Sequence, residues 1–115
     1  MIPTEEIIKK LAAFGLSPLE SRMYLYLYGK EPQSVLAVSR ALSIPRTTVY
    51  DTGKFLIDKG LIERVIEYKR QKLQAFSVDI LEDSIREHKE QAAKLTDNLA
   101  FLKQTLTRAI DTSAQ

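Results

Sequence analysis

The stretch of sequence that decides the fold is residues 34–60, SVLAVSRALSIPRTTVYDTGKFLIDKG. Ser34 is a typical helix N-cap, and the apolar residues that follow it recur at helical spacing as far as Leu42. Pro45 suits the first position of a second helix, and Gly60 is its natural end. A short helix, a tight turn and a second helix predict a helix-turn-helix.

The second helix of this pair has one face for a core and another for a polar partner. Val49, Gly53 and Leu56 form the inward stripe. The outward face and its flanks carry Arg46, Thr47, Thr48, Tyr50, Asp51, Lys54 and Asp58. Most of these are donors that suit phosphates and base edges. Asp51 would repel phosphates, so it either accepts from a cytosine amine or pairs with Lys54 one turn on.

Two further helices are expected upstream, over residues 4–14 and 17–28. The second has a specific start, because Ser17 and Glu20 form a capping-box pattern around a proline. Its end is ambiguous, since the apolar run from Tyr24 to Tyr28 also suits a buried strand. The capping pattern favours the helix.

Downstream of Gly60 the pattern changes to short β-rich runs. Residues 61–66 and 72–78 predict the two strands of a hairpin, with a polar tip at residues 67–71. Lys69, Arg70 and Lys72 make this tip basic. After a helix-turn-helix, such a hairpin is typical of a wing that contacts DNA, although a merely solvated tip has the same composition.

These elements together predict a mainly α fold with a small β-hairpin, a winged helix-turn-helix. The major groove of DNA admits one α-helix, and the preceding helix then crosses the backbone. We expect double-stranded DNA as the partner, with the helix from Pro45 in the major groove. The predicted DNA-binding residues are Ser34, Arg46, Thr47, Thr48, Tyr50, Lys54, Lys69, Arg70 and Lys72.

Residues 80–110 predict one long helix with a heptad pattern of apolar residues. The expected dimerisation residues are Leu81, Ile85, His88, Ala92, Leu95, Leu99, Leu102 and Leu106. Four heptads suit a coiled coil, so we expect a homodimer through this helix. The flanking positions carry too little charge to decide between parallel and antiparallel pairing. The expected domains are residues 1–78, the winged helix, and residues 79–115, the dimerisation helix.

Composition agrees with this function and disfavours others. Residues 40–72 carry eight Lys or Arg against four Asp or Glu, a net charge of +4 that suits an anionic partner. The chain of 115 residues has no Cys and one His, so neither a metal site nor a cofactor is expected. No nucleophile–base set stands out, and we do not expect an enzyme. Without a predicted signal peptide or membrane span, a cytoplasmic protein is expected.

Three motifs resemble the DNA-binding domain of TrmB-type transcription regulators. They are GLSPLE at residues 15–20, IPRTTVYD at residues 44–51 and DKGLI at residues 58–62. The resemblance covers residues 4–78 and implies a winged helix, a dimer and operator binding through the helix from Pro45. Gly53 departs from the larger residue that is common there. Many family members also carry a C-terminal sugar-binding domain, and the resemblance does not extend to one here.

Other interpretations stay open at this point. The same fold suits an architectural DNA-binding protein without sequence preference, or a protein–protein adaptor, which the acidic Asp51 and Asp58 favour. Tyr24, Tyr26 and Tyr28 either line a ligand pocket at a dimer interface or pack in the core. His88 is either a pH switch or a polar residue that sets the register of the coil. The sequence leaves open whether a small-molecule effector binds.

Overall fold

The computed structural model describes residues 2–113. Positions 114–115, the end of the expected dimerisation segment, lie outside the described residues. The chain divides into two units, one ending at Leu81 and one beginning at Glu82. The elements are α1 (Thr4–Ala12), α2 (Pro18–Leu27), β1 (Gln33–Ser34), α3 (Val35–Leu42), α4 (Arg46–Asp58), β2 (Ile62–Glu67), β3 (Arg70–Ala75), a 3-10 turn (Val78–Ile80) and α5 (Leu81–Ser113).

The capping box predicted at the start of α2 is present. Ser17 Oγ accepts from the Glu20 backbone N–H at 3.1 Å, and Glu20 Oε1 accepts from the Ser17 N–H at 3.0 Å. Tyr24 and Tyr26 lie within the helix and Tyr28 is its C-cap, so the strand alternative for this segment is wrong. Helix α1 ends at Ala12, earlier than predicted, and the chain then turns through Gly15 at φ +89°.

Helices α3 and α4 form the predicted helix-turn-helix. Ser34 Oγ accepts from the Ala37 N–H at 3.0 Å and so caps α3. Ser43 adopts a left-handed conformation at φ +56° and reverses the chain between the helices. Pro45 is the N-cap of α4 rather than its first helical residue, because its ψ of 154° is extended.

The hairpin belongs to a three-stranded antiparallel sheet of order β1-β3-β2. The edge strand β1 was not predicted, since two residues are too short to show a period. The tip is tighter than the predicted residues 67–71: Tyr68 and Lys69 alone make the turn, at φ +49° and +65°. Positive φ at both central residues is typical of a type I′ hairpin turn. Arg70 therefore begins β3 instead of lying in the tip.

The apolar core of the first unit joins the three-helix cluster to the sheet. Met23, Val38, Val49 and Leu56 are 0% exposed, and Leu73 of β3 packs with them. Gly53 is also buried, so the predicted inward stripe of α4 is confirmed. This core fixes α4 against the hairpin and leaves its opposite face to solvent. The first unit is thus a winged helix-turn-helix, as predicted.

The second unit is the rest of α5. The whole helix has 33 residues, or about 50 Å at 1.5 Å per residue. Large apolar side chains remain exposed along it, namely Ile85, Leu95, Leu99, Phe101, Leu102, Leu106 and Ile110. All but Phe101 fall on one side of a helical wheel. A stripe of this length is typical of a helix that pairs with another.

Candidate nucleic-acid interface

The outer face of α4 presents most of the predicted DNA-binding residues to solvent. Arg46, Thr47, Tyr50 and Lys54 are exposed, and Thr48 is half-buried. Arg46 is the first residue of the helix. A recognition helix contacts base edges mainly through its N-terminal residues, so Arg46 occupies the favoured position for such a contact.

Ser34 lies at the start of α3, where its side-chain oxygen already accepts a hydrogen bond. Its Oγ accepts the Ala37 N–H and the side chain is half-buried. The hydroxyl proton remains available as a donor, because an N-cap uses only a lone pair of the oxygen. Ser34 also lies opposite Lys72 in the β1–β3 pair. The predicted phosphate contact is therefore compatible with the cap.

The three basic residues of the hairpin are not equivalent. Lys69 and Arg70 are exposed, at the turn and at the start of β3. Lys72 is half-buried, and its Nζ lies 3.1 Å from Glu67 Oε2. Because Glu67 already neutralises Lys72, we expect less from this lysine in phosphate binding than from the other two.

Three further exposed residues of the hairpin, Arg64, Gln71 and Tyr68, lie outside the set predicted from the sequence. Arg64 and Gln71 line a groove between the hairpin and α4, together with Tyr50 and Lys54. Tyr68 at the turn is 96% exposed. The alternation of β2 was the available signal, since period two places Arg64 on the same sheet face as the buried Ile62.

The acidic residues of α4 form a separate part of its surface. Asp51, Phe55 and Asp58 are exposed and follow one another at helical spacing. No ion pair joins Asp51 to Lys54 within residues 2–113, so the pairing considered for Asp51 is absent. Lys54 therefore keeps its charge available toward the groove.

A partly buried ion pair holds the end of α4 against the start of α2. Lys59 Nζ donates to Glu20 Oε2 at 2.8 Å and to the Gly15 carbonyl at 2.7 Å. Burial alone would raise the pKa of Glu20, but hydrogen bonds from Lys59 and Ser17 outweigh it and lower the pKa below its ordinary value. This contact joins the GLSPLE segment to the DKGLI segment in space.

The tyrosines of α2 link that helix to the segment after β3. Tyr24 Oη donates to the Phe76 carbonyl at 2.8 Å, and Tyr28 Oη accepts from the Val78 N–H at 3.3 Å. Burial, with smaller contributions from Tyr28 and Asp79, raises the pKa of Tyr24 to about 12.

The rings of Tyr24 and Tyr28 also line an apolar cleft of about 310 Å³ with Ile2, Ile7, Leu11, Leu25 and Val78. Tyr26 instead stacks under Lys30, whose Nζ lies 3.8 Å from the ring centroid.

The expected dimerisation residues lie on α5, with one difference at its start. Leu81 is half-buried and packs against the core of the first unit, so the exposed stripe begins at Ile85. His88 is exposed, and its Nδ1 lies 2.6 Å from the Ser84 carbonyl. A carbonyl only accepts, so Nδ1 carries the proton in this contact. The remaining residues of the stripe, Ala92, Leu95, Leu99, Leu102 and Leu106, are exposed.

No group of three or more His, Asp or Glu side chains in residues 2–113 is placed to hold a metal ion. None of the helices there combines the length and apolar character needed to cross a bilayer.

A protein-family model matches most of the winged helix. The family described as "Sugar-specific transcriptional regulator TrmB" matches residues 11–78, more than half of the chain. A curated relative is the HTH-type sugar sensing transcriptional regulator TrmBL1 of Pyrococcus furiosus. It is 39% identical over 61 residues, which are 53% of this chain but only 18% of that protein.

Solved structures share the fold at low sequence identity. A possible transcriptional regulator from Methanosarcina mazei has a TM-score of 0.62 and 18% identity, with 85% of this chain and 87% of that chain covered. A DNA complex of MepR from Staphylococcus aureus has a TM-score of 0.57 and 20% identity, with 90% and 87% covered. Both alignments extend beyond the length of the winged helix.

Proposed function

The chain belongs to the TrmB family of transcriptional regulators, and from this premise we propose that it binds double-stranded DNA sequence-specifically, with α4 in the major groove. The observation that carries the proposal is the solvent-facing side of α4. Its N-terminal half presents Arg46, Thr47 and Tyr50, all able to donate to phosphates or base edges. The opposite face is locked into the core by Val49 and Leu56.

The hairpin supplies the sequence-independent part of binding. Lys69 and Arg70 have no acidic partner among residues 2–113, so their charges are available to phosphates. Neutralising phosphates releases counterions, which adds affinity that falls as salt rises. We assign Lys72 a smaller role because of Glu67.

We also propose that the protein acts as a homodimer through α5. A stripe that runs from Ile85 to Leu106 leaves leucines such as Leu99 about half exposed in a single chain. Pairing with the same stripe of a second copy would bury this surface. Burial would stabilise the dimer by about 25 cal/mol per Å² of apolar surface removed from water. Two DNA-binding units held in this way suit an inverted-repeat operator. The domain division proposed is residues 1–78 for DNA and residues 79–115 for dimerisation.

A second candidate function is a protein–protein adaptor. The observation that favours it is the exposed strip of Asp51, Phe55 and Asp58 on α4, where Phe55 is 60% exposed. An aromatic side chain between two carboxylates suits a basic protein surface better than DNA. An adaptor of this kind would show no salt-sensitive affinity for DNA.

Selection of bound duplexes from a random DNA pool separates these functions. The salt concentration should be about 150 mM, where nonspecific electrostatic binding is already weakened. Enrichment of an inverted repeat is the expected result. Retention of DNA without enrichment would favour an architectural role, and no retention would favour the adaptor.

A further inference from the structure

A narrow groove of about 10 Å³ lies between α4 and the hairpin. Its floor is apolar, and exposed polar side chains from both elements form its rim. Tyr50 and Lys54 of α4 face Arg64 of β2 and Gln71 of β3 across it. The groove also reaches Gly53, whose missing Cβ position lies 3.6 Å from Leu73 Cδ1. At this point α4 packs against the Leu73 side chain of β3.

The strand register explains why Arg64 faces the groove. Arg64 lies opposite Leu73, and Ile66 lies opposite Gln71. Residues paired across an antiparallel sheet project from the same face. Because Leu73 is buried in the core with α4, Arg64 projects toward α4 as well. Lys72 belongs to the opposite face, where Glu67 pairs with it.

The charges in the groove are not neutralised by the chain itself. No hydrogen bond or ion pair engages the Arg64 or Lys54 side chain within the part of the chain that the structure describes. No carboxylate lines the groove. Two cations, a phenol and an amide form a set of donors suited to a phosphate group.

The geometry of DNA places a phosphate strand at this groove, if the proposed function holds. A helix in the major groove and a hairpin tip at the adjacent minor groove are separated by one sugar-phosphate strand. That strand therefore runs past the rim of the groove, where α4 and the hairpin meet. We propose that this exposed rim binds a backbone phosphate of the strand, with Arg64 as its principal ligand and Lys54 as the second. Arg64 would thereby fix the register of α4 on the duplex.

The test compares variants by fluorescence anisotropy on a selected duplex and on a random one, over a range of salt concentrations. Arg64→Gln is expected to weaken binding to both duplexes about tenfold, because a charge-assisted hydrogen bond is lost. The salt slope should fall by about one for each protomer bound. Arg64→Lys should retain the slope. Arg22→Gln, an exposed arginine of α2 outside the groove, is the matched control and should bind like wild type.

A methylphosphonate scan of the duplex identifies the phosphate itself. Neutralising one phosphate on the strand between the grooves should weaken the wild type about tenfold, as loss of one charged contact does. The same change should leave Arg64→Gln nearly unaffected. The proposal is wrong if Arg64→Gln binds DNA as tightly as the wild type does. It is also wrong if every methylphosphonate weakens binding by the two proteins equally. Either result would leave the proposed DNA binding itself intact. If the wild type itself shows no salt-sensitive binding, the proposed function fails and this inference fails with it. Circular dichroism of each variant checks that the fold is intact.

Discussion

The ammonium group of Lys59, just beyond the end of α4, lies 2.8 Å from the carboxylate of Glu20, which caps α2. The two residues are 39 positions apart in the chain. Glu20 thus stabilises its own helix and also fixes the far end of the helix proposed to enter DNA. Its side chain is 11% exposed and that of Lys59 is 35% exposed, so solvent screens the pair only in part.

Loss of this ion pair should be measurable as a loss of stability. We expect Lys59→Met to lower the free energy of unfolding by about 1 kcal/mol at pH 7, since a charged hydrogen bond to a largely buried carboxylate is removed. Urea denaturation checks this value. Lys54→Met, at an exposed lysine earlier in the same helix, is the control and should change stability little.

The stabilisation by Glu20 should depend on pH in one direction. Its pKa is lowered in the folded protein, so its contribution is present above the unfolded value of about 4.3. It should disappear as the pH falls through the lower, folded value. Wild type and Glu20→Gln should therefore differ at pH 7 and converge in acid. If the stability difference between wild type and Glu20→Gln grew on acidification, the lowered pKa of Glu20 would be contradicted.

Arg46 and the hairpin cations should affect DNA binding in different ways. Arg46→Ala is expected to weaken binding to the selected site by about 1–3 kcal/mol more than to random DNA, as loss of a base contact does. Lys69→Ala and Arg70→Ala should weaken both to a similar degree and lower the salt slope. Anisotropy titrations on the two duplexes measure this. If Arg46→Ala weakened binding to both duplexes equally, Arg46 would contact the DNA backbone instead of a base.

The heptad stripe of α5 offers a matched pair of variants. Leu99 and Phe101 are 51% and 65% exposed in the single chain, but only Leu99 lies in the stripe. Leu99→Asp should dissociate the dimer, because a charge in the seam is desolvated without a partner. Phe101→Asp should leave the dimer intact. Sedimentation equilibrium distinguishes the outcomes. If both variants dissociated the dimer, the assignment of Leu99 and not Phe101 to the seam would be wrong.

Gly53 should tolerate a methyl group and gain stability from it. A Cβ there would meet only Leu73 Cδ1, at an ordinary contact distance of 3.6 Å. Alanine is favoured over glycine in a helix interior by about 1 kcal/mol, so Gly53→Ala should raise the melting temperature by several degrees. Calorimetry would show a lower melting temperature if the helix and Leu73 could not accommodate the methyl.

The sequence by itself determined the local elements of this protein. Ser17 with Glu20 and Ser34 marked helix starts, because a capping side chain acts within three residues of its own position. The periodicity of residues 80–110 marked the long helix for the same local reason. The order of these elements was enough to predict the winged helix and to place Arg46 at the start of its exposed helix.

Only the tertiary structure decided which charges are paired and which way they face. The Lys59–Glu20 and Lys72–Glu67 pairs, the edge strand β1 and the position of Arg64 beside α4 depend on strand register and on helix packing. These relations join residues through space, and a two-residue strand or one lysine among several carries no periodic pattern of its own. Burial of Leu73 and Gly53 in one core brings the hairpin against α4, and so sets the donors along the groove.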